Sequence, residues 1–144
     1  ARELDWYLLS EPAHQQLQAY VKELLALYKK YPALYANDCN TDGFEWMNAD
    51  DCSRSIYSFV RKSPTGRNNL LFVINYTPVA REDYRVGVPK KKQYRLILNS
   101  KDPKFGGDVP VEQTVYKAEK QECDGKEFSF AYPLPAYGVA VFVY

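Results

Sequence analysis

Leu17, Val21, Leu24 and Tyr28 recur at three- and four-residue steps, with Tyr20 and Leu25 widening the stripe, while Gln15, Gln18, Lys22, Glu23 and Lys29 take the other side. That period matches an α-helical turn, so the segment is predicted to be an amphipathic helix whose apolar face needs a partner surface. Ser10 stands where an N-cap is expected, and Pro12 falls in the first turn, where its missing N–H costs little. Lys29 and Lys30 complement the negative end of the helix dipole, and Pro32 should end the helix near Lys30.

Beyond Asn37 the pattern changes. The run from Asn37 to Gly43 is turn chemistry, and after it the apolar period is mostly two, or continuous. A boundary is therefore expected there, with residues 1–37 helical and residues 38–144 an all-β domain. Candidate strands are Phe44 to Met47, Ser55 to Arg61, Leu70 to Tyr76, Tyr84 to Val88, Tyr94 to Leu98, Thr114 to Lys120, Glu127 to Tyr132 and Gly138 to Tyr144. Their spacing suits a β-sandwich.

Several joints have a physical rationale. Ser63-Pro64-Thr65-Gly66 reads as a turn making a hairpin of the strands on either side. Asp124-Gly125 is a two-residue hairpin signal, because both positions tolerate positive φ, and it should join the strand ending near Glu119 to Glu127–Tyr132. In that last strand Phe128, Phe130 and Tyr132 alternate with Ser129 and Ala131, giving one strongly apolar face. Leu70-Leu71-Phe72-Val73-Ile74 has no polar face and is expected to be a central strand. No internal repeat or low-complexity tract interrupts the chain.

With 144 residues, 46% hydrophobic and 15% aromatic, the chain can bury one core with an appendage. Lys and Arg total 19 against 18 acidic residues, so no net field favours nucleic acid or an anionic membrane. No apolar run approaches a bilayer span of about 20 residues, and the start lacks the pattern of a signal peptide. A soluble, cytoplasmic protein is expected. Cys39, Cys52 and Cys123 are odd in number and lack zinc-knuckle or CxxC spacing, so they read as free thiols. The first residue is not Met and the pattern opens midway, as expected of a piece of a longer protein.

Candidate chemistry is sparse. Two-carboxylate catalysis needs acids on a rigid scaffold around a cleft, whereas Asp50, Asp51, Glu82, Asp83, Glu112, Glu119 and Glu122 read as solvated charges or loop caps. His14 is the only histidine and lacks a partner motif for nucleophilic catalysis. Gly106-Gly107 has no phosphate-loop context, and Lys90-Lys91-Lys92 reads as a turn between strands. The 13 tyrosines and two tryptophans could stack on sugar rings. Tyr57, Tyr76, Tyr94 and Tyr116 are nevertheless expected to be structural.

Leu4-Asp5-Trp6, His14, Leu17, Leu27-Tyr28, Pro32-Ala33-Leu34 and Gly43-Phe44-Glu45-Trp46 resemble the stretch of glycogen branching enzymes that crosses from the last barrel helix into the C-terminal domain. The resemblance continues through Ser58-Phe59, Arg61, Asn75-Tyr76-Thr77-Pro78, Tyr84-Arg85-Val86-Gly87-Val88-Pro89, Leu98-Asn99-Ser100 and Phe105-Gly106-Gly107. Lys92, where a glycine is expected, and Lys101, where an aspartate is expected, depart from the pattern.

The resemblance implies an antiparallel Greek-key β-sandwich of the alpha-amylase C-terminal type, preceded by one helix from the end of a (β/α)8 barrel. It implies that the aspartate nucleophile and glutamate acid/base lie upstream of Ala1. The whole enzyme would pass α-1,4-glucan segments to the 6-hydroxyl of an acceptor glucose through a covalent glycosyl-enzyme, without metal or organic cofactor. This chain would have no catalytic residue. Its partners would be the missing barrel and, through the intact enzyme, α-glucan. Trp6 is expected near the glucan groove, and Trp46 buried between helix and sandwich. The alternatives are a stand-alone carbohydrate-binding β-sandwich module, a generic interaction domain, or a debranching or maltogenic relative, the last disfavoured by the GFEW and NYTP segments.

Overall fold

The computed structural model describes residues 3–144. A 3-10 turn, Trp6–Ser10, leads into α1, Pro12–Lys30, and eight strands follow: β1 (Phe44–Asn48), β2 (Ile56–Arg61), β3 (Leu70–Asn75), β4 (Arg81–Val88), β5 (Gln93–Asn99), β6 (Val115–Lys117), β7 (Phe128–Leu134) and β8 (Val139–Val143). Ser10 is not the N-cap. It belongs to the preceding 3-10 turn, where its Oγ donates to the Tyr7 carbonyl, and Glu11 holds the cap position without a side-chain hydrogen bond. At the other end the Tyr31 N–H still reaches the Leu27 carbonyl, and Pro32 stops the helix where its ring requires.

All strand pairs are antiparallel. One sheet runs in the order β1-β2-β3-β8-β5-β6, and a second holds β4 and β7. The chain builds a three-stranded meander, crosses to β4, returns to β5 and β6, crosses again to β7 and closes with β8 between β3 and β5. This is the expected antiparallel sandwich. Strand β3 is central, as its unbroken apolar run requires.

The predicted turns form for the predicted reasons. Gly66, at φ 68°, closes the β2–β3 hairpin with its N–H on the Ser63 carbonyl. Asp124 and Gly125, at φ 48° and 71°, make the tight turn that Cys123 and Lys126 close with a reciprocal pair of hydrogen bonds. Strand β6 is shorter than the predicted Thr114–Lys120. The Ala118 N–H bonds the Lys92 carbonyl while Glu119 pairs with Ser129 of β7, so the chain leaves one sheet for the other and the ladder breaks.

Two apolar layers result. Between the sheets lie Ile56, Val60, Leu71, Val73, Val86, Val88, Leu96 and Ala140, with an aromatic nucleus of Tyr94, Tyr116, Phe130, Tyr132 and Phe142. Phe142 touches Tyr116, Phe130 and Tyr132 edge-on at centroid distances of 5.6, 5.2 and 5.1 Å, the geometry that the ring quadrupoles favour. Outside the larger sheet, Leu70, Leu98, Val141 and Val143 are covered by Leu27, Tyr31 and Ala33. A bulge between Leu96 and Leu98 lets β5 supply both layers.

The opposite face of β7 is not simply solvated. Ser129 is fully buried, its hydroxyl donating to the Gln121 carbonyl and accepting from Arg85 Nη1.

Phe142→Ala removes the hub of the aromatic nucleus, so a loss of about 3–5 kcal/mol is expected in urea unfolding. A loss below about 1 kcal/mol would show that the nucleus collapses around the gap.

Candidate functional site

The motif residues singled out in the sequence turn out to hold turns. Buried Asn75 donates from Nδ2 to the Val79 and Pro135 carbonyls, both at 2.9 Å, and accepts from the Thr77 N–H and hydroxyl, fastening the exit of β3 to the β7–β8 turn. Asn99 Nδ2 donates to the Val109 carbonyl, and Ser100 Oγ accepts from the Val139 N–H at 2.8 Å. Gly87 leaves room for the Cys123–Lys126 turn, since a Cβ there would meet the Cys123 carbonyl oxygen at 2.4 Å. Each is engaged in local turn bonds, and in Asn75 both amide hydrogens and both carbonyl lone pairs are taken.

One polar cluster joins distant segments. Arg54 pairs with Asp51 and donates from Nη2 to Asp124 Oδ1 at 2.7 Å, tying the β1–β2 connection to the turn before β7. Burial alone would raise the Asp51 pKa. Hydrogen bonds from Asn48, the Arg54 N–H and Ser53, together with the Arg54 charge, outweigh burial and hold it below its ordinary value. Asp51 is thus a buried loop cap, not a free acid.

The nucleophile and base candidates are scattered. His14 is exposed in the first turn of α1. Burial pushes the Cys123 thiol up to about 11, while Cys39 and Cys52 lie exposed on loops. Among the described residues no three His, Cys, Asp or Glu side chains converge as metal ligands, and no helix is long and apolar enough to cross a membrane.

Among the described residues two uncovered apolar surfaces stand out, both on the α1 side of the larger sheet. The first is on α1. Tyr20, Leu27 and Tyr31 turn toward the sheet, whereas Leu17, Val21, Leu24, Leu25 and Tyr28 are 61, 46, 39, 57 and 49% exposed. The stripe that the sequence displays is therefore adjacent to the packed face of the helix and only partly overlaps it. Trp6, in the turn before α1, is 68% exposed.

The second surface is an open groove of about 530 Å³ lined by Trp46, Ser55, Tyr57, Phe59, Ile74 and Tyr76. Antiparallel register sets Trp46, Phe59 and Phe72 side by side across β1, β2 and β3. The Phe59 and Phe72 rings stack at 4.8 Å, and Trp46 meets Phe44 and Phe59 edge-on at 4.9 and 5.7 Å. Trp46 is 51% exposed, so the expected burial between helix and sandwich does not occur among the described residues; β1 is an edge strand of the larger sheet. Tyr94 and Tyr116 are buried as expected, but Tyr76 lies just past β3 and is 61% exposed. A signal was present, since Phe44 and Trp46 share one face of β1, and Tyr57 and Phe59 share one face of β2.

Comparison with known proteins places this geometry. Residues 46–144 match the family described as alpha amylase, C-terminal all-beta domain. The 1,4-alpha-glucan branching enzyme GlgB of Butyrivibrio fibrisolvens is 46% identical over 99% of this chain and 22% of its own length. The GlgB proteins of Aquifex aeolicus and Cereibacter sphaeroides are 39% and 42% identical over 94% and 92% of the chain, and 22% and 18% of their own lengths. The chain thus spans about a fifth of the curated relatives it matches.

The depressed Asp51 pKa fixes the sign of one pH effect. Its contribution is complete above the ordinary aspartate value of 3.8 and is lost as pH falls through the lower folded value. Asp51→Asn should lower the urea midpoint at pH 7 and reduce the further drop between pH 5 and pH 3. An undiminished acid drop in the variant would assign acid sensitivity to other carboxylates.

Proposed function

The chain belongs to the alpha-amylase C-terminal all-beta domain family, and from that premise we propose that it is the C-terminal part of a cytoplasmic 1,4-alpha-glucan branching enzyme. Residues 1–37 are the last helical segment of its catalytic barrel, and residues 38–144 are the domain packed against that barrel. The observation that carries this reading is the extent of the similarity: it reaches well upstream of residue 46 to take in α1, covering 99% of the chain in one relative.

The physical division of labour supports it. Asp51, Asp124 and Glu45 are spent on ion pairs and hydrogen bonds that hold the fold, and on this reading bond breaking and glucosyl transfer fall to acids on the barrel. What this chain supplies is packing. Helix α1 locks one apolar face onto the sheet and presents a second stripe, Leu17, Val21, Leu24, Leu25 and Tyr28, for the barrel to cover. The segment between the last strand and last helix of such a barrel lies at its catalytic face. Trp6 precedes α1, and on this reading it borders the glucan groove.

A second reading, a stand-alone carbohydrate-binding module, is favoured by the aromatic groove on β1–β3. Removing residues after Asn37 from the full-length enzyme separates the two. Loss of stability and branching is expected, and an unimpaired truncated enzyme would favour the module.

Leu24→Glu should leave the 144-residue chain within about 0.5 kcal/mol of the unsubstituted protein, as an exposed substitution does. It should lower the melting temperature of the full-length enzyme, whereas Leu27→Glu should destabilise both. Equal tolerance of Leu24→Glu in both contexts would remove the barrel-facing role of the stripe. Trp6→Ala in the full-length enzyme should weaken glucan binding and chain transfer, and normal kinetics would remove the assignment of Trp6.

A further inference from the structure

A formal net charge of +1 conceals an uneven distribution between the two ends of the sandwich. Asn69, before β3, and Tyr144, after β8, exchange two backbone hydrogen bonds, and register then sets Val143 beside Arg95 and Gln93 opposite Lys117. One end of the larger sheet therefore gathers cations from three stretches of sequence. Arg67 comes from the turn before β3, Lys90, Lys91 and Lys92 from the turn before β5, and Lys117 from the end of β6. Lys92 Nζ lies 5.8 Å from the centre of the Tyr144 ring, holding the lysine turn against the end of β8. The other end is mixed, with Asp50, Glu82, Asp83, Asp102 and Asp108 among Arg54, Arg81, Lys101 and Lys104.

All five cations of this rim are exposed, and among the described residues none forms an ion pair, whereas Arg54, Arg61, Lys62, Lys101, Lys120 and Lys126 all do. Nearby acids are spent or outnumbered. Glu45 is held between Lys62 and Lys126, and Glu127 faces Lys120 at 3.5 Å, which leaves Glu119 and, before β1, Asp42. Like charges gathered in this way repel, so the grouping costs the isolated chain stability that an anionic partner restores. The rim also narrows the kind of anion. The exposed rings of Trp46, Tyr76 and Tyr137 lie elsewhere, so nucleic-acid bases find no stacking platform there. Helix α1 begins beside Ser100 and Lys101, at the other end, so its N-terminus cradles no phosphate at the rim. Four of the five cations are lysines, mobile point charges that suit carboxylates strung along a flexible chain. From β3 to β6 the rim spans roughly 15 Å, the reach of about five residues of extended chain.

We propose that this rim is a docking surface for an acidic segment of a partner protein, a short extended run of aspartates and glutamates. Only its placement relative to the cleft rests on the barrel reading above. On that reading the catalytic face lies at the N-terminal end of α1, so the rim points away from it and a partner held there leaves the cleft open.

Fluorescence anisotropy of a labelled octaglutamate peptide, titrated with the 144-residue chain at low salt and at about 0.15 M, tests the proposal, because the higher salt screens exposed charges beyond about 8 Å. Binding that weakens with salt is expected. The triple variant Lys90→Gln, Lys91→Gln and Lys92→Gln should bind about tenfold more weakly, since exposed ion pairs are individually weak and three are removed together. Arg67→Gln and Lys117→Gln, remote in sequence but on the same rim, should each bind about twofold more weakly. Lys104→Gln, at the other end, should bind as the unsubstituted chain does. Thermal melts keep a folding defect distinct from a binding defect: all five rim positions are exposed, and removing like charges should hold or raise the melting temperature.

Absence of binding, undiminished binding by the triple variant, or a loss in Lys104→Gln equal to that in Lys117→Gln would each overturn the proposal. So would octathymidylate bound as tightly as octaglutamate, which would make the rim a general polyanion site. The full-length enzyme should bind the peptide too; a peptide that binds the 144-residue chain alone would put the rim under the rest of the protein and remove it as a docking surface. Branching by the full-length enzyme without peptide, read from the loss of iodine staining of amylose, reports separately on the parent reading.

Discussion

A sheet that is apolar on both faces must be covered twice, and the structure follows from that constraint. In β3, Leu71 and Val73 point into the sandwich while Leu70 and Phe72 point outward; Val141 and Val143 of β8 and Leu98 of β5 also point outward. Burying each such side chain is worth about 1.5–3 kcal/mol. The two-stranded sheet of β4 and β7 satisfies the inner layer. From the β-domain Phe105 reaches one side of the outer layer, meeting Tyr20 edge-on at 5.1 Å, and α1 covers the rest. An isolated 19-residue helix is marginal in water, so the dependence is mutual: the sheet fixes the helix, and the helix keeps the sheet dry.

The helix is narrower than the surface it covers. It spans β3, β8 and β5 but leaves the outward rings of β1 and β2 beside it, so Trp46 and Tyr57 form a shelf along its flank. Its own apolar arc is likewise wider than its contact. Positions 20, 27 and 31 are used, whereas 17, 21, 24 and 28 lie further round the same cylinder. A helix apolar over so wide an arc belongs between two bodies, one of which is present. The chain spans about a fifth of the relatives it matches, and on the proposed reading the second body is the barrel.

Much of this was legible because period carries direction. Alternation assigned an apolar face to β7, the unbroken run of Leu70–Ile74 announced a central strand, and Asp124-Gly125 announced its turn through the φ values it needs. The N-cap was misread because Ser10 ends a 3-10 turn that hydrophobic spacing does not reveal, its Oγ donating back to the Tyr7 carbonyl, which puts the cap position at Glu11. The aromatic groove was missed for a different reason. Tyr57 and Trp46 have the composition of core residues, and only register and edge position decide whether a ring is covered. Sheet order is a long-range property, and β8, last in the chain, enters between β3 and β5 while β1 is left at the edge.

That edge bears on how the groove can exist. An exposed edge strand carrying large aromatics invites pairing with another chain. β1 counters this in two ways. A bulge between Trp46 and Asn48 breaks the regular ladder, and Glu45 holds Lys62 and Lys126 against the strand, placing charges beside its free hydrogen-bonding groups. The aromatic face can therefore stay open without making the strand adhesive along its backbone. The polar groups of the buried turns cannot be spared in this way. Asn75, Asn99 and Asp51 are each held by two or more bonds whose loss would leave donors or carbonyls stranded, at about 1–3 kcal/mol apiece. Side chains that hold the fold are thus unavailable for ligands, and the rings outside the helix's footprint are the ones free to take a partner.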